Sequence, residues 1–289
     1  MRFAKGHGTG NDFVILPDPD GELDLGAGLV ARLCDRHFGI GADGVLRVVR
    51  SAAAGEDAAG QQAEWFMDYR NADGSIAEMC GNGVRVFAKY LIDQGLGAGP
   101  ELAIATRAGT RAVRVQPDGE FTVDMGAATV LGDGEAEAGT RRLAGLAISV
   151  GNPHLACLVT EPVTAVDLSG PRVLRPAELC AGANVEVVRV VGDHVVEMRV
   201  HERGSGLTLS CGTGAVATAV AAAVWAGEWP ADAVPWTVHV PGGQLTVTPS
   251  SSASLLTGPA AIVATGELAD DWLADDWLAA LPAAGVHAS

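Results

Sequence analysis

The stretch MRVHERGSGLTLSCGTGAVATAVAAAVWA, Met198 to Ala226, decides the fold. Met198–Glu202 reads as a strand, a polar Gly/Ser turn follows, and Cys211-Gly212-Thr213-Gly214 opens a helix made almost wholly of Ala and Val. A helix that is apolar on every side belongs inside a core, so Cys211 stands where a buried helix begins. The arrangement occurs twice. MDYRNADGSIAEMCGNGVRVFAKYL, Met67 to Leu91, repeats the strand, the polar turn, a Cys80-Gly81-Asn82-Gly83 start and a helix. Met67 and Met198 are 131 residues apart, and so are Cys80 and Cys211, so the register holds across the whole unit.

Two cysteines at two helix starts carry a chemical expectation. The first turn of a helix has unpaired N–H groups and a partial positive charge. That environment is expected to favour a thiolate, lowering the thiol from its usual value of about 8.5. It also suits a carboxylate, held on the amides of Gly81, Asn82, Gly212 and Thr213. Glycine beside each Cys lets a ligand approach the backbone closely. If the halves face each other, one carboxylate fits between the helix ends with a sulfur on each side of its α-carbon. A base on one face and an acid on the other is what inverting a stereocentre requires. A lone buried Cys is usually inert; two in one register, each as Cys-Gly-x-Gly, tip the reading toward catalysis.

These units closely resemble the catalytic segments of the diaminopimelate epimerases, cofactor-independent enzymes of lysine and peptidoglycan-precursor biosynthesis. The resemblance runs from Phe3 to about Leu268, and the chain is similar, more distantly, to the proline racemase and phenazine-biosynthesis isomerase families. It implies an isomerase that interconverts LL- and meso-2,6-diaminopimelate by a two-cysteine mechanism, with Cys80 and Cys211 as acid and base and Cys211 acting on the LL form. It implies that Gly-Asn-Asp-Phe at 10–13 places Asn11 on the substrate. It further implies that Arg203 with Asn71, Asn152 and Asn184 holds the distal carboxylate, a group that Arg grips bidentately, while Glu202 helps hold ammonium. The family often has Gln where this chain has Gly44, which removes a side chain that would help hold the amine. By the same analogy the protein is a homodimer and needs neither metal nor cofactor.

The rest of the chain fits a duplicated α+β fold: two pseudo-symmetric domains, each a mostly antiparallel, barrel-like sheet wrapped around a central helix. Strands separated by glycine turns follow each Cys helix, and Gly126-Ala127 matches Gly258-Pro259 at a spacing of 132. The boundary is expected where the composition turns to Gly132-Asp133-Gly134-Glu135, giving domains at 1–127 and 128–268 and a tail at 269–289. The tail nearly repeats itself (Asp270–Ala274, Asp275–Ala279) and reads as an amphipathic helix with acidic first turns. Gly39, Gly41 and Gly44 spell G-x-G-x-x-G, but a helix (Leu29–His37) precedes it and a strand (Gly44–Arg50) follows, the wrong context for dinucleotide binding. His154, after Asn152-Pro153, reads as a structural hydrogen-bonding residue, since no partner acid stands beside it in the sequence.

Composition narrows the partners. A net charge of −16 argues against nucleic acid or an anionic membrane. Five cysteines without paired spacing suit a reducing compartment and show no zinc pattern. The N-terminal MRFAKGHGTGND lacks the apolar core of a signal peptide. The longest apolar run, Ala215–Ala226, falls short of the roughly 20 residues a spanning helix needs. A soluble cytoplasmic enzyme with a small-molecule substrate is the expectation. Two alternatives stand beside it: a proline-racemase-type or phenazine-type isomerase, and a redox sensor in which Cys80 and Cys211 form a reversible disulfide.

Overall fold

A computed structural model describes residues 1–230 and 234–274. The first half runs β1 (Arg2–Gly8), β2 (Asn11–Pro17), α1 (Ala27–Cys34), β3 (Gly44–Arg50), β4 (Trp65–Asn71), α2 (Gly81–Asp93), β5 (Glu101–Ala105), β6 (Arg111–Val115) and β7 (Phe121–Gly126). The second runs β8 (Thr129–Ala138), β9 (Arg141–Ser149), β10 (Pro153–Leu158), β11 (Arg172–Arg175), β12 (Asn184–Gly192), β13 (Val195–Glu202), β14 (Gly206–Thr208), α3 (Gly212–Ala226), β15 (Trp236–Val240), β16 (Gly243–Thr248), β17 (Ser254–Gly258), β18 (Ala261–Glu267) and α4 (Asp270–Ala274).

The pairings make two matching series. One is β18-β1-β2-β3-β4-β5-β6-β7, curved around α2. The other is β8-β9-β10-β12-β13-β15-β16-β17, curved around α3. Each series carries parallel pairs at the same two places, β2 with β3 and β4 with β5 in one, β10 with β12 and β13 with β15 in the other. The remaining pairs within each series are antiparallel, and β7 meets β17 antiparallel where the series join. This is the duplicated α+β architecture that the sequence implies.

The chain crosses between the series twice. After β7 it continues as β8 in the second series, and after β17 it returns as β18 beside β1 in the first. The polar stretch around Gly132 is therefore a long strand rather than an irregular connection. β1, at the glycine-rich opening, is likewise a strand that the sequence concealed. The reason is the same in both. Their inward positions are small because a helix or neighbouring strand presses on them. A Cβ at Gly6 would lie 3.0 Å from Val86 Cγ1, and one at Gly134 would lie 2.3 Å from Leu155 Cδ1. Hydrophobic alternation cannot show where the inward residue must be glycine.

The two helices sit in one continuous core that draws on both halves. α3 buries all but a few residues, Val216 and Val220 among them, and each such valine contributes about 1.5–3 kcal/mol of transfer free energy. It ends at Gly227, whose φ of 76° supplies the left-handed cap. α1 stops at Cys34, short of the expected His37, because the Asp35 carboxylate accepts the N–H groups of His37 and Phe38 and turns the chain. The Gly39–Gly44 loop then lies between a helix and a strand, as its context requires. Asp270–Ala274 is helical, while the second half of the tail repeat lies outside the described residues. Among the described residues no helix is long and apolar enough to cross a membrane.

Candidate active site at the meeting of two helix starts

Cys80 and Cys211 cap their helices in nearly the same backbone geometry, φ −141° and ψ 119° against φ −125° and ψ 119°. Each sulfur accepts the N–H three residues on, from Gly83 and from Gly214, both at 3.4 Å. A sulfur here does what a Ser or Asp oxygen usually does at an N-cap. The helix starts touch through glycine. A Cβ at Gly212 would stand 3.2 Å from Gly81 Cα and 3.5 Å from Asn82 N, and one at Gly81 would meet Met125 Cε at 2.8 Å. A larger residue at Gly212 would push the two helix ends apart, and one at Gly81 would displace the Met125 side chain.

Above this junction lies a cavity of about 810 Å³. Cys80, Cys211, Gly81, Asn82, Gly212 and Thr213 form its floor, with Asn11, Asn71, Asn152, Asn184, Glu202 and Arg203 around them. The structure thus brings all twelve sequence candidates to one cavity. Their present partners differ. Asn11 donates to Asp43 Oδ2 at 2.8 Å and accepts from the Asn82 amide at 3.2 Å and the Cys80 thiol at 3.5 Å. Asn82 also donates to the Ser210 carbonyl at 3.0 Å, joining the halves directly beneath the floor. Asn71 closes its own turn on Ser75 Oγ at 2.9 Å. Asn152 donates to Thr213 Oγ1 at 3.4 Å, and the Arg203 backbone N–H donates to Asn184 Oδ1 at 2.9 Å. The Arg203 side chain is exposed at the rim.

One expectation is reversed. The helix starts were expected to lower the thiols, yet burial raises both. Cys80 is pushed up to about 11, chiefly by desolvation, with the N–H of Gly83 pulling the other way. Cys211 is pushed well above the usual thiol range, again by burial first and then by the Glu202 carboxylate. Loss of water from a buried anion outweighs two or three amide dipoles. Glu202 is itself raised by burial, although Thr208 and Cys211 donate hydrogen bonds to it. Without ligand, both sulfurs are thiols at neutral pH.

Sequence reading missed three groups. Glu186 Oε1 lies 2.7 Å from His154 Nδ1, both fully buried, so His154 has a partner acid that the sequence did not place beside it. The only signal was an acid among valines in Val185–Val188. His154 Nε2 in turn donates to Asn152 Oδ1 at 2.9 Å, which sets the direction of that amide. Asp43, from the glycine loop, lines the wall beside Asn11. Tyr69 also lines the cavity, packed edge-on against Phe13. It explains Gly44: a Cβ there would come within 2.8 Å of the Tyr69 ring and 2.5 Å of the Arg70 carbonyl oxygen. The ring fills the space into which a side chain at 44 would grow.

Comparison with known proteins agrees with this geometry. The family model described as "Diaminopimelate epimerase" matches residues 3–131 and 146–263. The diaminopimelate epimerase of Thermobifida fusca (strain YX) is 59% identical over 273 residues, covering 93% of this chain and 98% of that protein. That of Mycobacterium ulcerans (strain Agy99) is 50% identical over 289 residues, covering 94% and 98%. Among solved structures, a hydroxyproline epimerase from Agrobacterium vitis superposes with a TM-score of 0.64 at 15% identity, over 94% of this chain and 93% of that one. A Bacillus anthracis phenazine biosynthesis protein of the PhzF family superposes at 0.63 and 16%, over 93% and 99%. The structural neighbours share the fold, and the sequence relatives narrow it: this chain belongs to the diaminopimelate epimerase family.

Proposed function

We propose that the protein interconverts LL- and meso-2,6-diaminopimelate, with Cys80 and Cys211 exchanging protons on opposite faces of one α-carbon. The observation that carries this reading is the meeting of two cysteine-capped helix starts on the floor of a single cavity. One sulfur, as thiolate, takes the α-proton. The other, as thiol, gives its proton to the opposite face, so each turnover leaves one thiol and one thiolate with roles exchanged. Negative charge that develops on the substrate carboxylate falls on the first amides of both helices, aimed there before the reaction begins. Substrate ammonium supplies the opposite charge that burial withholds from the sulfurs. The pair then titrates as one unit rather than as two independent thiols.

The remaining contacts follow the family pattern. Arg203, Asn71, Asn152 and Asn184 grip the distal carboxylate, Glu202 faces ammonium, and Asn11 holds the reacting end. Cys211 acts on the LL form and Cys80 on the other. The two duplicated units, divided near residue 128 with β18 returning to the first, form the two walls, and the enzyme works in the cytoplasm as a homodimer without a cofactor. Proton NMR of LL-diaminopimelate in D₂O, with pure protein and nothing added, tests the central claim. Deuterium should enter the α-position as the meso form appears. An α-proton left untouched under reducing conditions would sink the substrate assignment.

A further inference from the structure

Among the described residues a charged side chain without an ion-pair partner is fully buried at Arg85, one turn into α2. Its side chain is completely shielded and is the largest of the fully buried ones. Among the described residues no carboxylate stands within ion-pair distance of it. Its partners are all neutral oxygens. Nη2 donates to Asn82 Oδ1 at 2.9 Å and Thr9 Oγ1 at 3.3 Å, Nε donates to the Pro259 carbonyl at 3.3 Å, and Nη1 reaches the Gly81 carbonyl at 3.5 Å. Glycine makes room for it on two sides: a Cβ at Gly8 would lie 3.0 Å from Nη2 and one at Gly258 3.6 Å from Nε.

Burying an unpaired cation is costly, and a guanidinium is not neutralised to escape the cost. Burial draws Arg85 down to about 10, which still leaves it charged at neutral pH. Nor is the surrounding backbone relaxed. Thr9, β-branched, is held at φ 49°, a region such residues avoid. Its hydroxyl lies between Arg85 and Ser210 Oγ, the latter at 2.7 Å. Ser210 immediately precedes Cys211, Asn82 follows Cys80 by two, and Pro259 lies where the chain returns to the first half. One guanidinium therefore ties together both helix starts and the crossover.

We propose that Arg85 is a positioning residue for the epimerisation: it braces the two cysteine-bearing helix starts against each other, and its positive charge, which no ion pair neutralises and only the more distant Glu120 offsets, favours anionic sulfur at Cys80. This rests on the proposed two-thiol reaction for its catalytic consequence, but the charge effect exists in the substrate-free protein. Desolvation raises the Cys80 thiol and the Glu202 carboxylate adds to it, while the N–H groups of Gly83 and Asn82 and the Arg85 charge pull it down, the last acting from within α2.

The test has two arms. In a Cys211→Ser background, the rate of Cys80 alkylation by iodoacetamide at pH 8 is measured for Arg85, Arg85→Lys and Arg85→Met. Arg85→Met should slow it about tenfold, and Arg85→Lys should restore it to within about twofold, because the charge returns without the planar fork. In the otherwise native protein, kcat for α-proton exchange should fall about a hundredfold in Arg85→Met and about tenfold in Arg85→Lys, with KM little changed. Should Arg85→Met fail to fold, Arg85→Gln takes its place with the same expectations. Equal alkylation rates in the charged and neutral variants, after correction for folded fraction by circular dichroism, would overturn the charge assignment. A wild type that exchanges no α-proton while Arg85 still governs alkylation would overturn the substrate reading and leave the Arg85 assignment standing.

Discussion

The two helix starts share a backbone and differ in charge. Around Cys80 the neighbours are Asn11 and Asn82, with the Glu202 carboxylate raising its thiol and, one turn deeper, the cation of Arg85 drawing it down. Around Cys211 they are Thr213 and two acids, Glu202 and Glu186. Cys80 is pushed up to about 11, and Cys211 is driven well above the usual thiol range by burial together with like charge. The acids of the first half are held by cations: Asp12 is engaged by both Lys5 and Arg36, at 2.6 and 2.8 Å. Glu202 has no Lys or Arg within ion-pair distance among the described residues, and Glu186 has only His154. The repeated unit holds its two thiols in nearly the same backbone geometry, and the added negative charge of Glu186 falls on Cys211 alone.

The comparison can be broken at several points. The largest effect is expected from the sulfurs. Cys80→Ser and Cys211→Ser should each lower interconversion of the two diaminopimelate isomers by about a thousandfold or more, because a serine hydroxyl at a buried helix start cannot supply the missing base. NMR turnover assays on both variants would check this, and near-normal turnover in either would remove that sulfur from the reaction.

A smaller effect should follow from removing the acid beside Cys211. Glu202→Gln takes away the like charge that raises that thiol. In a Cys80→Ser background, alkylation of Cys211 at fixed pH should then speed up by about tenfold. An unchanged rate would mean that burial alone sets Cys211. With Glu202 intact and each sulfur measured in the variant that lacks the other, Cys80 should be the faster of the two. With its thiol at about 11, only about one Cys80 in a thousand is thiolate at pH 8, so its rate should climb about tenfold per pH unit from pH 7 to 10. A plateau below pH 9 would contradict the burial effect.

The smallest effect concerns stability, and it sharpens the contrast between paired and unpaired acids. Burial works to raise Asp12, yet hydrogen bonds from Arg36 and Lys5 bring it from 3.8 down to about 2. Its folded value lies below its unfolded value, so its stabilisation is complete above about pH 4 and is lost as pH falls toward 2. The amount is about 2 kcal/mol. Urea unfolding of wild type and Asp12→Asn at pH 7 and pH 2.5 should show a difference that shrinks at the lower pH. A difference independent of pH would assign the effect to packing.

Much of the fold was legible because the duplicated unit repeats its residue types at a fixed spacing. The Cys-Gly-x-Gly starts, the apolar α3 and the strand β13 are local patterns, and local sterics and burial fix them. The twelve candidate residues were legible for a different reason: they lie in or next to glycine-containing segments whose residue types match a known family. β1 and β8 were not legible, because Gly6 and Gly134 occupy inward positions where a helix or strand presses close. The order of the strands across the two crossovers was not legible either, since it depends on pairings between residues more than two hundred positions apart, such as Arg2 with Glu267.

The sequence by itself determined that two cysteines cap two core helices in matching register, and which family that register belongs to. Only the tertiary structure decided how the thiols behave. Helix dipoles act over one turn and can be read from the chain, whereas desolvation depends on everything packed around the sulfur, and it proved the larger influence. Only the tertiary structure showed that Glu186 stands against His154 and that Arg85 lies unpaired beneath both helix starts. Those contacts join segments that are far apart in the chain, and no local pattern encodes which distant side chain will close over a buried charge.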